Sequence, residues 1–307
     1  MITKNIINRI LFVGVVSCGL AAGLSSCKSG DQDFPDFDYQ TCYFAKQYPV
    51  RTVELGNDLY VDLTGDNQHK IQIQATMGGA YSNPRDITID FAVEPKLCEG
   101  LTFEDGTAVT VMPENYYHIL GNNIVIPSGQ PVGGVEVQLE DAFFNDPLSV
   151  TNHYVIPVRM LKATGVDHIL EGKDFVLYAV KYVNKYHAQY ILNGNLQAAT
   201  VDLTTKDLNT SLFNYAAKDA AGKAHNCEIQ LNFAADGTCT ATTNTPGFTV
   251  QGTGRFVEAD ETQLVGARHP DTIYLKFTVK NETLAINATE DYVLTVKTRG
   301  IKSENFK

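Results

Sequence analysis

Hydrophobic and polar residues alternate one by one along much of the chain. The alternation is clearest in four segments, which span residues 70–75, 87–93, 135–140 and 273–280. Successive side chains of a β-strand point to opposite faces of a sheet, so strict alternation predicts a strand with one buried and one exposed face. Each of these segments is therefore predicted to be a half-buried strand.

Turn-forming dipeptides separate the predicted strands: Gly78-Gly79, Asn83-Pro84, Gly121-Asn122, Ser128-Gly129, Gly133-Gly134, Asp236-Gly237 and Pro246-Gly247. Glycine, proline and asparagine at such positions favour tight turns. We find no sustained helical periodicity after residue 26. Short strands with regularly spaced turns are typical of a β-sandwich or a β-barrel, and the sequence therefore predicts an all-β protein.

The alternating pattern breaks between residues 163 and 173, where Thr164-Gly165 and Gly172 occur. A chain of this length suggests two domains. We predict a β-sandwich over residues 39–162 and an antiparallel, barrel-like domain over residues 174–307. Closure into a barrel is favoured for the second domain because it removes exposed strand edges.

The N-terminus has the organisation of a signal peptide. Lys4 and Arg9 precede an apolar stretch over residues 10–24, which is shorter than the roughly 20 residues of a membrane-spanning helix. Leu24-Ser25-Ser26-Cys27 resembles a bacterial lipobox. We therefore predict that residues 1–26 are a lipoprotein signal peptide and that Cys27 is lipidated; an uncleaved anchor helix is the alternative.

Residues 27–38 are predicted to form a flexible acidic tether. An acidic stretch after a lipidated cysteine resembles the surface-export signal of Bacteroidetes lipoproteins, whereas a plain solvated linker is the alternative. The predicted location is the outer membrane, facing the cell exterior, with membrane contact through the lipid anchor only. Without residues 1–26 the chain has 22 basic and 35 acidic residues, a formal charge of −13. This charge argues against a nucleic-acid partner, which usually requires a basic surface.

Four cysteines follow the lipobox, namely Cys42, Cys98, Cys227 and Cys239. A two-residue turn at Asp236-Gly237 would place Cys239 opposite Ala234 and not opposite Cys227. Buried free thiols are the preferred interpretation, because cysteine packs as a small hydrophobic residue. No C-x-x-C pair occurs, and we predict neither a metal site nor a cofactor.

Common catalytic motifs do not occur in the sequence. H-E-x-x-H, G-x-S-x-G and the P-loop are all missing. Adjacent carboxylates such as Glu140-Asp141 do not establish the defined separation that glycosidases require across a sugar. The protein is therefore predicted not to be an enzyme.

Aromatic residues are candidates for sugar binding, because their rings offer a large contact area at a small entropy cost. The chain has 15 Tyr and 15 Phe but no Trp, which leaves tyrosine as the replacement platform. We predict that Tyr116 and Tyr117 lie on one strand and face opposite sides. Barrel mouths are common ligand sites, and loops there are predicted to carry Tyr215, Phe248, Arg268 and His269.

Ten segments together resemble a family of two-domain Bacteroidetes surface lipoproteins. They lie at residues 43–44, 48–51, 54–56, 113–117, 124–129, 137–147, 154–157, 178–187, 252–256 and 299–300. The family has an N-terminal domain of unknown function, also found in front of family 18 endo-β-N-acetylglucosaminidases, and a lipocalin-like C-terminal domain. The resemblance implies an immunoglobulin-like sandwich followed by a lipocalin- or calycin-like antiparallel barrel.

The resemblance also implies a function in glycan utilisation. Such proteins are often encoded beside outer-membrane transporters, and the D-x-x-D-x-D-x-E motif of the family 18 enzymes does not occur here. The leading hypothesis is a non-catalytic, cell-surface glycan-binding lipoprotein that captures an oligosaccharide or polysaccharide for an outer-membrane transporter complex. An adhesin or structural interaction protein is the first alternative, and an unrecognised glycan hydrolase is the second.

Overall fold

The computed structural model describes residues 39–58, 61–193, 199–259 and 270–306, and their regular secondary structure is almost entirely β-strand. The first group of strands is β1 (Thr41–Tyr43), β2 (Pro49–Glu54), β3 (Lys70–Gly78), β4 (Ile87–Val93), β5 (Thr110–Val111), β6 (Tyr117–Ile119), β7 (Asn123–Ile126), β8 (Val132–Leu139), β9 (Tyr154–Thr164), β10 (His168–Ile169) and β11 (Phe175–Val183). The second group is β12 (Ala188–Leu192), β13 (Thr200–Thr205), β14 (Thr210–Lys218), β15 (Ala224–Phe233), β16 (Thr238–Thr243), β17 (Thr249–Val257), β18 (Thr272–Asn281), β19 (Ile286–Thr298) and β20 (Glu304–Asn305).

Helices in the described residues are one turn long. They are α1 (Thr64–Asn67), α2 (Asp141–Phe144) and three 3₁₀ turns at Pro95–Cys98, Glu114–Tyr116 and Pro147–Val150. Phe143 and Phe144 of α2 are fully buried against Tyr182. The segment between β8 and β9 is therefore a packed corner of the core.

Twelve strands form the N-terminal sheet in the order β10-β1-β3-β8-β7-β4-β9-β11-β2-β20, with β5 on β9 and β6 on β8. The predicted alternation is confirmed in β3, where Ile71, Ile73 and Ala75 are buried while Gln72 and Gln74 are exposed. The same alternation in the first half of β4 and in β8 buries Ile87, Ile89, Val135, Val137 and Leu139 in one hydrophobic core. This pattern produces the sandwich, because each layer has only one apolar face to cover.

Strands β12 to β19 form a closed antiparallel barrel in sequence order. The longest ladder joins β18 to β19, from Thr272 opposite Thr295 to Asn281 opposite Ile286. Gly252 of β17 faces the interior, and a Cβ atom there would lie 2.4 Å from the Cβ of Phe277. This glycine therefore leaves room for the Phe277 side chain inside the barrel. The predicted fold class, an all-β sandwich followed by an antiparallel barrel, is confirmed.

Strand β11 belongs to the sandwich sheet, although the sequence pattern assigned residues from 174 onward to the barrel. It pairs in parallel with β2 and antiparallel with β9. Val180 packs into the main core and Ala179 into a second cluster on the other face, so the strand is buried on both sides. The chain also returns to the sandwich at its end, where Phe306 packs against Phe103.

The four described cysteines are free and buried, which confirms the interpretation from the sequence. Cys239 lies opposite Phe233 and not opposite Ala234, because the turn is a three-residue loop over residues 235–237 and not a two-residue loop. Burial raises the pKa of the Cys42 thiol to about 11 and that of the Cys239 thiol to about 12. These thiols therefore stay protonated and are poor nucleophiles.

All described residues belong to one compact unit, in which the sandwich contacts one end of the barrel. Tyr186 and Phe233 stack there with ring centroids 3.6 Å apart, and Phe256 packs edge-on against Tyr186 at 4.9 Å. We name this the closed end of the barrel. Buried Arg299 donates to the carbonyl oxygens of Lys185 and Leu55, both at 2.8 Å, so a single side chain joins the two domains.

His187 makes the stability of this junction depend on pH. Burial is the main cause that lowers its pKa to about 4, and the charges of Arg299 and Lys181 add to the effect. The unfolded chain binds this proton near pH 6.5, where the folded chain does not, so acid favours unfolding. We expect the unfolding free energy to fall by up to about 3 kcal/mol between pH 6.5 and pH 4. Urea unfolding at several pH values should show that the His187→Asn variant loses less unfolding free energy than the wild type between pH 6.5 and pH 4. If both proteins lose the same unfolding free energy over that range, His187 is not the group responsible.

Candidate functional site

A polar cleft lies beside β3 in the sandwich. Strand β1 pairs only with Thr76–Gly78, so within the described residues the stretch 70–75 has no strand partner on that side. The cleft occupies the space between this edge of β3 and strands β2 and β11, and its volume is about 570 Å³. We name it the edge cleft. Its lining residues are Arg51, Asp62, Gly65, Asp66, Gln68, Lys70, Ile71, Gln72, Gln74, Glu136 and Tyr178.

One side of the edge cleft is built by β2 and α1. Asp66 is buried, accepts the backbone N–H of Glu54 at 2.7 Å through Oδ2, and forms an ion pair with Arg51 through Oδ1. Arg51 also donates to the carbonyl oxygen of Thr52. The guanidinium is thus held in place by two partners while about a third of the side chain stays exposed.

Strand β3 supplies amides to the opposite side of the cleft. Gln72 and Gln74 are two residues apart, so both point to the exposed face, and Gln74 Nε2 donates to Gln72 Oε1 at 2.7 Å. This bond leaves an amide nitrogen on Gln72 and an amide oxygen on Gln74 for other partners. Lys70 and Glu136 form an ion pair of 3.6 Å next to them.

Tyr178 is the aromatic residue of the edge cleft. Its hydroxyl donates to the carbonyl oxygen of Gln72 at 3.1 Å, which ties β11 to the free edge of β3. Burial raises the pKa of this phenol, so the hydroxyl remains a donor at neutral pH. The half-buried ring contributes apolar surface among the polar side chains.

The edge cleft combines several donors and acceptors with little net charge. Its two cations, Arg51 and Lys70, each have a carboxylate partner. The accessible groups are therefore mainly amides and partly satisfied charged groups. Such a set suits an uncharged ligand with many hydroxyls, because each hydroxyl both donates and accepts a hydrogen bond.

The two tyrosines predicted as sugar platforms are not positioned for that role. Tyr116 ends a 3₁₀ turn and Tyr117 begins β6, so the expectation that both lie on one strand is wrong. Tyr117 is buried in the core. The half-buried Tyr116 donates to Asp146 Oδ2 at 2.8 Å, and Tyr154 donates to the same oxygen at 2.5 Å. Both hydroxyls therefore brace the corner at Asp146.

Two of the residues predicted at a barrel mouth, Tyr215 and Phe248, belong to the described residues. Tyr215 lies within β14 and points into the barrel, so its expected loop position is wrong. Phe248 lies in the loop between β16 and β17, away from the closed end, and packs against the barrel core. Arg268 and His269 fall outside the described residues, as does Cys27.

A second cavity, of about 450 Å³, lies at the junction of sandwich and barrel. Its polar groups mainly hold the junction together. Asn67 exchanges two hydrogen bonds with the backbone of Gly56, and Lys185 donates to Glu258 at 3.1 Å. A Cβ atom on Gly56, which has φ of +99°, would lie 2.4 Å from the Cβ of Lys185. We therefore favour the edge cleft as the binding site.

The described residues show neither a metal-binding cluster nor a membrane-spanning helix. They contain no group of three or more His, Cys, Asp or Glu side chains placed to hold a metal ion. Across the same residues we find no helix with the length and hydropathy needed to cross a membrane. His225 instead pairs with Asp219 at 2.9 Å.

Two family models match the chain in succession. A model for an N-terminal domain matches residues 37–167, and the domain of unknown function DUF5627 matches residues 163–300. A crystal structure of a Bacteroides ovatus protein of unknown function shares 36% sequence identity, covers 88% of this chain and 99% of its own, and superposes with a TM-score of 0.80. No curated protein sequence matches significantly.

Two further Bacteroides ovatus structures are more distant. One, of unknown function, has 16% identity and a TM-score of 0.40, and covers 84% of this chain and 93% of its own. The other is described as a putative carbohydrate-binding protein. It has 11% identity and a TM-score of 0.34, and covers 87% of this chain and 98% of its own. Similarity at this level carries no argument about function. None of these comparisons indicates a catalytic family.

Proposed function

The chain belongs to the same family as the Bacteroides ovatus protein of unknown function with 36% identity, and we propose that it is a non-catalytic glycan-binding protein. The observation that carries the proposal is the edge cleft, where three glutamine amides, two paired cations and one tyrosine ring surround about 570 Å³. That volume lies within the usual range of ligand sites, and hydroxyl-rich sugars match this mixture of donors and acceptors.

The cleft favours binding over catalysis. Its carboxylates are Asp62, Asp66 and Glu136, and each already has a partner. Asp66 is held by Arg51 and a backbone amide, while two hydrogen bonds from Thr64 lower the pKa of Asp62. A glycosidase needs one carboxyl group with a raised pKa to protonate the leaving oxygen. The pKa of Asp62 is shifted in the opposite direction.

We extend the proposal to the cellular role. The lipobox predicts a lipid-anchored protein of the outer membrane that faces the cell exterior, tethered through Cys27. There it would capture an oligosaccharide or polysaccharide and pass it to an outer-membrane transporter. Support for this role comes from the sequence: the acidic tether, the resemblance to glycan-utilisation lipoproteins and the missing catalytic motifs.

Lipidation can be tested in cells that express the full chain. We expect radiolabelled palmitate to enter the wild-type protein, and the Cys27→Ser variant to lose the label and the membrane association. The Cys42→Ser variant is the control for cysteine replacement and should keep both. Label on the Cys27→Ser protein would contradict the predicted anchor.

The edge cleft can be tested with a panel of oligosaccharides in calorimetric titrations. We expect the Gln72→Ala/Gln74→Ala double variant to bind its glycan at least about tenfold more weakly than the wild type, since each lost hydrogen bond contributes about 1 kcal/mol. Gln251→Ala removes an exposed glutamine of the barrel and serves as the control. Equal weakening by both variants, or binding of no glycan by the folded wild type, would argue against the proposal.

A protein-binding role is the second candidate, and one observation favours it. Val125 and Val132 are exposed apolar residues on the neighbouring strands β7 and β8, and the exposed Leu120 directly follows β6. Exposed apolar surface can mark an interaction site when it is contiguous. A protein adhesin would keep its partner when Gln72 and Gln74 are replaced and lose it when Val125 is replaced by serine.

A further inference from the structure

The edge cleft and the second cavity lie on the two sides of one short segment. We name the second cavity, at the junction of sandwich and barrel, the junction cavity. Asp66 and Gln68 line the edge cleft, whereas Asn67 and His69 line the junction cavity. Consecutive Cα atoms are about 3.8 Å apart, so the two spaces are neighbours across the turn that ends α1. Asn67 and Gln68 are exposed, which places this divide at the protein surface.

The dividing turn is held in place from several sides. Asn67 donates to the carbonyl oxygen of Gly56 at 2.7 Å and accepts from its N–H at 2.9 Å. His69 has a left-handed backbone with φ of +59°, and its carbonyl oxygen accepts from the N–H of Leu139 at 2.8 Å. Such a backbone conformation persists only where the surrounding contacts enforce it. The turn is therefore a fixed ridge between the two cavities.

The junction cavity contains polar side chains that take no part in holding the domains together. The His69 ring packs against Phe144 with centroids 4.0 Å apart, and neither ring nitrogen has a hydrogen-bond partner among the described residues. The side-chain amides of Asn57 and Asn209 are exposed and likewise have no described partner. Amides and imidazoles both donate and accept hydrogen bonds, so these three side chains are available to a polar ligand.

The chemistry of the junction cavity matches that of the edge cleft. Lys185 is paired with the Glu258 carboxylate at 3.1 Å, so this ion pair adds little net charge. The half-buried Leu55 and Leu208 add apolar surface. Both spaces therefore offer amides, a balanced ion pair and a small apolar area, which suits the hydroxyls and C–H groups of a sugar. Their volumes of about 570 Å³ and about 450 Å³ are each typical of a site for one small ligand.

We propose that one glycan chain occupies both cavities and crosses the ridge at Asn67 and Gln68. The side-chain amide of Gln68, which has no partner among the described residues, lies at this crossing. The preferred ligand is then a chain of several sugar residues, because each cavity alone accommodates a small ligand. This inference rests on the proposed glycan-binding function and adds the junction cavity to the site.

The proposal can be tested by calorimetric titration with neutral oligosaccharides of increasing length. The probes are maltose, cellobiose, mannobiose and xylobiose, each with its longer homologues. We expect the wild type to bind the longer homologues of one series at least about tenfold more tightly than the disaccharide, as two added hydrogen bonds imply. The Asn57→Ala/Asn209→Ala variant should bind the disaccharide as the wild type does and lose the gain with length.

Asn287→Ala is the matched control, because Asn287 is an exposed asparagine of the barrel strand β19 and lines neither cavity. It should keep the gain with length. Equal affinity for all lengths of a series would overturn the shared site and leave the glycan-binding function intact. A gain that the Asn57→Ala/Asn209→Ala variant retains, or that Asn287→Ala abolishes as completely, would do the same. Binding of no member of any series would contradict both proposals.

Discussion

Replacing Arg299 with alanine is expected to lower the unfolding free energy by about 3 kcal/mol or more. The guanidinium is buried and donates to the carbonyl oxygens of Lys185 and Leu55, and to that of Asn184 at 3.2 Å. Removing it leaves these three carbonyls without their donor in the junction. Hydrogen bonds to a charged group are the strongest that a protein loses in this way.

The Arg299→Ala loss can be measured by urea unfolding, followed by tyrosine fluorescence. Arg255→Ala is the control, because Arg255 is exposed on the barrel wall and should change stability by less than about 0.5 kcal/mol. Arg299→Lys should be intermediate, since an ammonium cannot reproduce the fork of the guanidinium. Equal stability of the Arg299→Ala and Arg255→Ala proteins would show that Arg299 does not hold the junction.

Replacing Phe277 with alanine is expected to cost about 4 kcal/mol. The Phe277 side chain is almost completely buried and packs edge-on against Phe213, Tyr215 and Tyr292. Its removal leaves a cavity that the rigid closed barrel fills poorly, because Gly252 opposite has no side chain to move in. Stability should therefore fall by more than the lost transfer free energy alone.

The matched control for Phe277→Ala is Tyr274→Ala on the same strand. Tyr274 is 53% exposed and faces outward, so its removal should change the unfolding free energy by less than about 0.5 kcal/mol. Calorimetric unfolding of both variants gives the comparison. If the Phe277→Ala variant unfolds at the wild-type temperature, the Phe277 ring does not stabilise the barrel core.

Strand positions were the most predictable part of the fold. Strict alternation in β3, β8 and β18 fixes which side chains are buried, because a sheet has two faces and only one covers the core. The local sequence pattern predicts which strand residues are buried, because burial repeats at every second residue of a strand.

Strand partners were less predictable than strand positions. Nothing in residues 175–183 distinguishes a strand of the barrel from one of the sandwich, because its pairing with β2 joins residues more than 120 positions apart. The candidate site depends on such pairings. Gln72 and Gln74 appeared in the sequence only as the polar face of a strand, whereas Arg51 and Tyr178 come from β2 and β11.

Tyrosine side chains show why residue type alone is not enough to identify binding residues. Tyr116 and Tyr154 are both engaged by Asp146, and Tyr215 by Glu290. A tyrosine whose hydroxyl is held by a carboxylate stabilises the fold, and the sequence does not reveal that partner. In contrast, the amides of the edge cleft retain hydrogen-bonding groups that no described residue occupies.

Side-chain amide resonances measured by NMR test the central claim, that the edge cleft binds a glycan. Uniformly ¹⁵N-labelled mature protein would be titrated with each oligosaccharide of the panel while the NH₂ signals of Gln68, Gln72 and Gln74 are followed. We predict saturable shifts of these signals with one glycan, while the NH₂ signal of Gln251 stays unchanged. Glycan binding that shifts signals elsewhere and leaves the three glutamines unaffected would contradict the account.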